Sequence, residues 1–136
     1  MKALVLPLGE EHYAFPLVSV QQVIENPRVT RLPAADASVL GLVNVRGEIV
    51  PLFDLAVLAG VGKTRSCAFA ILVTTTQGAA ALGVEEMPVS TEIDESLASN
   101  GDPGTARVYP VDDRLVTVLE VESLLVTGRA GVPRAS

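Results

Sequence analysis

The sequence predicts a mainly β fold, and three observations carry that expectation. Apolar runs of strand length recur at close spacing, the gaps between them hold Gly, Pro, Asn or Asp, and helical candidates are confined to short segments. Many short strands so arranged favour a barrel or a sandwich over βαβ layers. With 136 residues and 49% apolar content, the chain is of single-domain size and can build a core without disulfide or metal staples.

Residues 3–8 and 12–17 are apolar runs separated by Gly9-Glu10-Glu11, the spacing of a first β-hairpin. Val20, Val23 and Ile24 lie at i, i+3 and i+4 on a helical turn, yet their β-branching suits a strand equally, and both readings stay open. Pro27 breaks this segment, residues 29–32 read as a short strand, and Pro33-Ala34-Ala35-Asp36 reads as a turn with Asp36 as a candidate N-cap. Residues 45–53 roughly alternate apolar and polar and read as one strand, bulged or bent at Gly47 and Pro51. Asp54 then caps a short helix marked by Leu55, Leu58 and Ala59 and ended by Gly60 and Gly62.

Residues 67–76 form a continuous buried strand that turns at Gln77-Gly78 into 79–84, a second and central hairpin. Residues 88–106, with Asn100-Gly101-Asp102-Pro103-Gly104, read as a long connecting loop holding one helical turn around 95–97. A last hairpin sets 108–111 against 115–121 about Asp112-Asp113-Arg114, a helical turn at 122–126 closes the fold, and the tail from Thr127 frays. Val50-Pro-Leu-Phe-Asp-Leu and Val118-Leu-Glu-Val-Glu-Ser-Leu-Leu both pass from a strand through an acidic residue into a short apolar helix, as two similar barrel halves would.

Composition narrows the function. A formal charge of -6 with ten scattered Lys and Arg attracts no phosphate backbone, and 4% aromatic content leaves few stacking platforms, so no nucleic acid partner is expected. Cys67, the one cysteine, has no internal disulfide partner and reads as a small buried hydrophobe compatible with a reducing compartment. No segment reaches the ~20 apolar residues of a membrane helix, and the apolar start is shorter than a secretory signal, so the expected setting is cytoplasmic without direct membrane insertion.

Candidate chemistry is sparse. Gly60-Val-Gly62-Lys63-Thr64 imitates the end of a phosphate-binding loop, but Val57 stands where that pattern needs glycine, and these glycines follow a helix instead of opening one. His12 is the sole histidine, which removes a histidine metal cluster and leaves any pairing with Cys67 to a chance meeting; it reads as an exposed hairpin residue. Glu85-Glu86 and Asp112-Asp113 are adjacent carboxylates, which point to opposite faces on a strand or occupy a turn, so both read as solvated. No catalytic constellation, metal site or cofactor is expected.

Gly41-Leu-Val-Asn44-Val-Arg46-Gly47-Glu-Ile-Val-Pro51-Leu-Phe-Asp54-Leu55, preceded by Thr30, Leu32 and Pro33, resembles the signature segment of CheW-like coupling domains. The likeness spans about residues 4–125, taking in Tyr13-Ala-Phe15, Val20-Gln-Gln-Val-Ile24 and Arg114-Leu-Val-Thr-Val-Leu-Glu-Val-Glu-Ser-Leu-Leu125. It implies one CheW-like domain over residues 1–136, made of two intertwined five-stranded SH3-like β-barrels with short helices. It further implies a non-enzymatic bacterial adaptor that couples a chemoreceptor cytoplasmic tip, seated between the barrels, to a histidine kinase regulatory domain meeting the barrel edges.

The resemblance places Val20 and Arg46 in the receptor-coupling surface, with Gln22 and Asn44 beside them; Asn44 suits a turn brace. Arg46 also has structural alternatives, an internal bridge to Glu48 or Asp54, or carbonyl bonds that tie the barrels together. Three departures bear on the partners. Gln22 stands where the family often has an acid, the terminal extension and end helix are short, and Glu85-Glu86-Met87 departs from the expected Gly-Val-x-x-Val continuation. Two other readings are carried along: a CheW-like scaffold of another two-component pathway, serving motility or development, and a small-ligand-binding β-barrel.

Overall fold

The computed structural model describes residues 1–33, 36–97 and 107–125. Among these are eleven strands: β1 (Lys2–Leu8), β2 (Glu11–Pro16), β3 (Val20–Glu25), β4 (Val29–Thr30), β5 (Val39–Val45), β6 (Glu48–Asp54), β7 (Phe69–Thr75), β8 (Gly78–Val84), β9 (Val89–Glu92), β10 (Arg107–Val111) and β11 (Arg114–Val118). Helix α1 (Leu55–Leu58), 3-10 turns at Leu17–Ser19 and Glu95–Leu97, and a helical turn at residues 121–125 complete the described elements. The strands curl into a five-stranded sheet, β10-β11-β2-β1-β9, and a six-stranded sheet, β3-β7-β8-β6-β5-β4. The mainly β, two-barrel architecture is therefore as expected, with the two-residue β4 added to the second barrel.

The barrels are intertwined because both ends of the described chain build the first, while the middle builds the second. They share one pairing scheme in permuted order. Strands β3, β5, β6, β7 and β8 correspond to β9, β10, β11, β1 and β2: Val23 opposite Ile71 matches Ser90 opposite Leu4, and the parallel pair Leu52 with Ala81 matches Val118 with Ala14. Val43 opposite Val50 matches Tyr109 opposite Val116, so the segment equivalent to Val50-Pro-Leu-Phe-Asp-Leu begins at Val116, not Val118.

The core lies in three layers. Ala14, Ile93, Tyr109 and Val116 fill the first barrel, and Val43, Val50, Leu52 and Leu72 fill the second. Between them, Leu6 and Phe15 of one sheet pack with Phe53, Ile71 and Leu82 of the other and with Val121 and Leu125 of the closing turn. Burial of aliphatic surface on this scale is the main favourable term in such a fold.

Four sequence expectations meet a different outcome or a sharper one. The 20–24 segment is strand β3, because pairing with β7 decides where local propensity does not. The single strand expected over 45–53 is a hairpin: Val45 pairs with Glu48, and Arg46-Gly47 form the turn. The irregular register lies instead between Val39 and Gly41, where Gly41 adopts φ +150 and an added Cβ would sit 2.2 Å from the Thr30 carbonyl oxygen on β4. No helix follows Asp36; its carbonyl accepts the Val39 N–H at 2.9 Å and closes a turn. Within 88–106, β9 pairs with β1; three of its four residues are polar, a one-sided edge strand with no alternation to read. The expected features at Ala34-Ala35, Asn100-Gly101-Asp102-Pro103-Gly104, Val126 and the tail from Thr127 lie outside the described residues.

Candidate functional site

Val20 and Gln22 stand on β3 at one edge of the six-stranded sheet, and Asn44 and Arg46 stand on β5 and its turn toward the other. Curling brings these edges together, and the Arg46 Nη2 donates to the Gln22 Oε1 at 3.1 Å. Two side chains of the expected surface are thereby joined through two elements distant in sequence. Val20 sits half-buried opposite Val73 on the same strand as Gln22.

Local chemistry explains the geometry. Arg46-Gly47 is a two-residue loop with φ 53 and 88, the type I′ pattern whose twist matches that of the flanking strands. Asn44 braces it, its Oδ1 accepting the Gly47 N–H at 2.8 Å. A type I′ turn favours Asn or Gly where Arg46 stands, and an L-residue in that region costs roughly 1–2 kcal/mol. On β3, Gln21 is the extra residue of a bulge between Val20 and Gln22, and its amide donates to the Thr74 hydroxyl.

Two apolar side chains adjoin this surface that the sequence pattern did not single out. Ile49 lies directly opposite Asn44 and is 57% exposed, while Val18, in the 3-10 turn leading into β3, is 95% exposed. The readable signal was a large aliphatic on the solvent side of an alternating strand.

Arg46 bridges to neither Glu48 nor Asp54, and its partner Gln22 is in its own sheet, so it does not tie the barrels together. Among the described residues, the ion pairs join the Met1 amine to Glu92 and Glu95. Asp54 is committed elsewhere: its carboxylate accepts from the N–H groups of Ala56, Val57 and Thr64 and from the Thr64 hydroxyl. The resemblance of Gly60-Val-Gly62-Lys63-Thr64 to a phosphate loop ends there, since Thr64 is tied to the helix cap and Gly60, at φ 77, terminates α1.

The remaining candidate groups have structural roles. Cys67 packs on the second barrel's core, donates to the Phe69 carbonyl at 3.5 Å, and has its thiol pKa pushed up chiefly by burial. His12 is half-buried on β2 and takes Arg114 Nη1 at 2.6 Å on its Nε2. Asp94 is held below the usual carboxylate range by hydrogen bonds from Ser96, which stabilise the 3-10 turn at Glu95–Leu97. Among the described residues no group of three His, Cys, Asp or Glu side chains is placed to hold a metal. No described helix is long and apolar enough to cross a membrane.

The sequence pattern of the CheW-like domain family matches residues 2–128, across both barrels and the whole candidate surface. The chain belongs to this family. It is similar to the chemotaxis protein CheW of Helicobacter pylori, 29% identical over 128 residues covering 87% of this chain and 77% of that protein. It is also similar to CheW of Thermotoga maritima, 23% identical over 134 residues covering 92% and 89%. Among solved structures, the scaffolding protein TtCheW of Thermoanaerobacter tengcongensis matches with a TM-score of 0.79 and 26% identity, over 90% of this chain and 86% of that one.

These matches favour the chemotaxis CheW reading over another pathway. The ligand-binding barrel is disfavoured on physical grounds as well, because side chains fill both barrel interiors.

Proposed function

We propose that the chain is a cytoplasmic, non-enzymatic adaptor of a bacterial chemotaxis array, which holds the cytoplasmic tip of a chemoreceptor and the regulatory domain of a histidine kinase in fixed geometry. The observation that carries this reading is the CheW-like match over residues 2–128, which spans both barrels instead of one. Two partners held at once make each further contact effectively intramolecular, so weak surfaces suffice to build an array. The two barrels act as one domain in this role, and neither a cofactor nor turnover is required.

We assign the receptor contact to Val20, Gln22, Asn44 and Arg46. The convergence of β3 with the β5–β6 turn supports it, as does the αL backbone of Arg46, because strained positions cluster where a side chain must be presented. Arg46→Ala is expected to retain the wild-type circular dichroism spectrum, to bind the kinase regulatory domain unchanged, and to weaken capture of the receptor tip by roughly ten-fold. Unchanged receptor capture, or loss of the folded spectrum, overturns the surface role of Arg46.

A further inference from the structure

The Arg46–Gln22 contact is a charge-assisted hydrogen bond to a neutral amide, made at 3.1 Å. Among the described residues no carboxylate lies within 4.0 Å of Arg46, so the exposed guanidinium has no ion-pair partner there. Gln22 engages one arm of a five-donor fork and leaves the rest for another acceptor. Nearby, the Asn44 Oδ1 accepts the Gly47 N–H and the Gln21 amide nitrogen donates to Thr74. The braced type I′ turn fixes where this cation stands, and Ile49, exposed beside Asn44, supplies an aliphatic contact next to it.

We infer that Gln22 sets the charge specificity of this surface: its amide contacts Arg46 without pairing its charge, so the surface selects a protein segment that presents an Asp or Glu carboxylate beside aliphatic side chains. The inference rests on the receptor-coupling reading of the same four residues and goes beyond it by naming the group that the partner supplies. An acid at position 22 would act twice against such a segment. It would pair with Arg46 internally, and it would stand as a like charge facing the incoming carboxylate.

The test compares wild type, Gln22→Glu, Gln22→Ala and Arg46→Ala as full chains, binding the cytoplasmic tip fragment of the cognate chemoreceptor at low and high salt. Gln22→Glu is expected to weaken binding about three- to ten-fold at low salt, with the difference shrinking as salt screens the charges. Gln22→Ala, which removes the hydrogen bond without adding charge, stays within about two-fold of wild type. Binding of the kinase regulatory domain is unchanged in both. Wild-type affinity for Gln22→Glu, or an equal loss in Gln22→Ala, overturns the inference. If Arg46→Ala weakens receptor binding while Gln22→Glu does not, only the charge-specificity inference fails. If Arg46→Ala leaves receptor binding intact, the coupling surface itself is wrong.

Discussion

Tyr13 shows how far one side chain's surroundings shift its chemistry. The ring is 7% exposed within the shared core, and its hydroxyl donates to Glu11 Oε1 at 2.7 Å. Burial first, then the Glu11 hydrogen bond and charge, push the phenol up to about 12 from its ordinary 10. Because the folded value lies above the unfolded one, the neutral phenol stabilises the fold below about pH 10, and that contribution is lost as pH rises toward 12. It amounts to about 3 kcal/mol at neutral pH. Tyrosinate absorbance followed through an alkaline titration should therefore show one phenol that ionises near 12 or only on unfolding, and Tyr13→Phe should abolish that step. Ionisation of Tyr13 near pH 10 in the folded protein would contradict this. At this scale the sequence was partly legible. Asn44 was readable as a turn brace, though the Arg46-Gly47 turn it braces was not, and Gln22 as the partner of Arg46 was not, because barrel curvature and no local rule brings the two together.

At the level of elements, Asp54 does more than an ordinary helix cap. It is buried, accepts the Ala56 and Val57 N–H groups at the start of a four-residue helix, and takes both the N–H and the hydroxyl of Thr64 at the far end of the following loop. An isolated helix this short does not hold itself together, so the cap and the packing of Leu55 into the core maintain it. Asp54→Ala removes the cap and leaves the loop donors unsatisfied, and it should lower stability by about 2–4 kcal/mol in urea denaturation. Asp54→Asn keeps one acceptor but turns an amide donor toward Thr64, so it should recover only part of the loss; full recovery would show that the Thr64 clamp contributes nothing. The cap and its helix were legible because Asp followed by a short apolar run and glycines is a local signal. The β5–β6 hairpin was not, because one glycine inside an alternating run reads as a bulge. A change of phase marks the turn: Gly41 and Val43 are buried before it, Val50 and Leu52 after it. The two-residue loop moves the buried face from odd to even positions. Strand β9 escaped for the opposite reason, since an edge strand covered on one side needs little apolar sequence.

Across the whole molecule, the decisive feature is that the central core belongs to both barrels. Leu6, Tyr13 and Phe15 come from the five-stranded sheet, Ile71, Val73 and Leu82 from the six-stranded one, and they form one cluster. Pairing of β11 with β2 further joins the two ends of the chain in one barrel, a contact with no local sequence signal even though the likeness of the two halves was visible. Neither barrel can unfold without exposing the apolar face it shares, so we propose a single cooperative unit. The chain offers a direct reading of this: it has no tryptophan, and both its tyrosines, Tyr13 and Tyr109, lie in the five-stranded sheet. Tyr109 packs inside the first barrel and Tyr13 in the shared core, so in a Tyr13→Phe background the fluorescence of Tyr109 reports on the first barrel, while far-ultraviolet circular dichroism reports on both, and the two denaturation curves should superimpose. Leu82→Ala supplies the sharper form of the test. Leu82 is 0% exposed and sits on β8, in the other sheet from both tyrosines, where truncation should remove about 2–5 kcal/mol. In a single unit that loss moves the tyrosine transition as far as the dichroism transition. If the tyrosine curve stays in place while the dichroism splits, the barrels are separable and their shared core does not couple them.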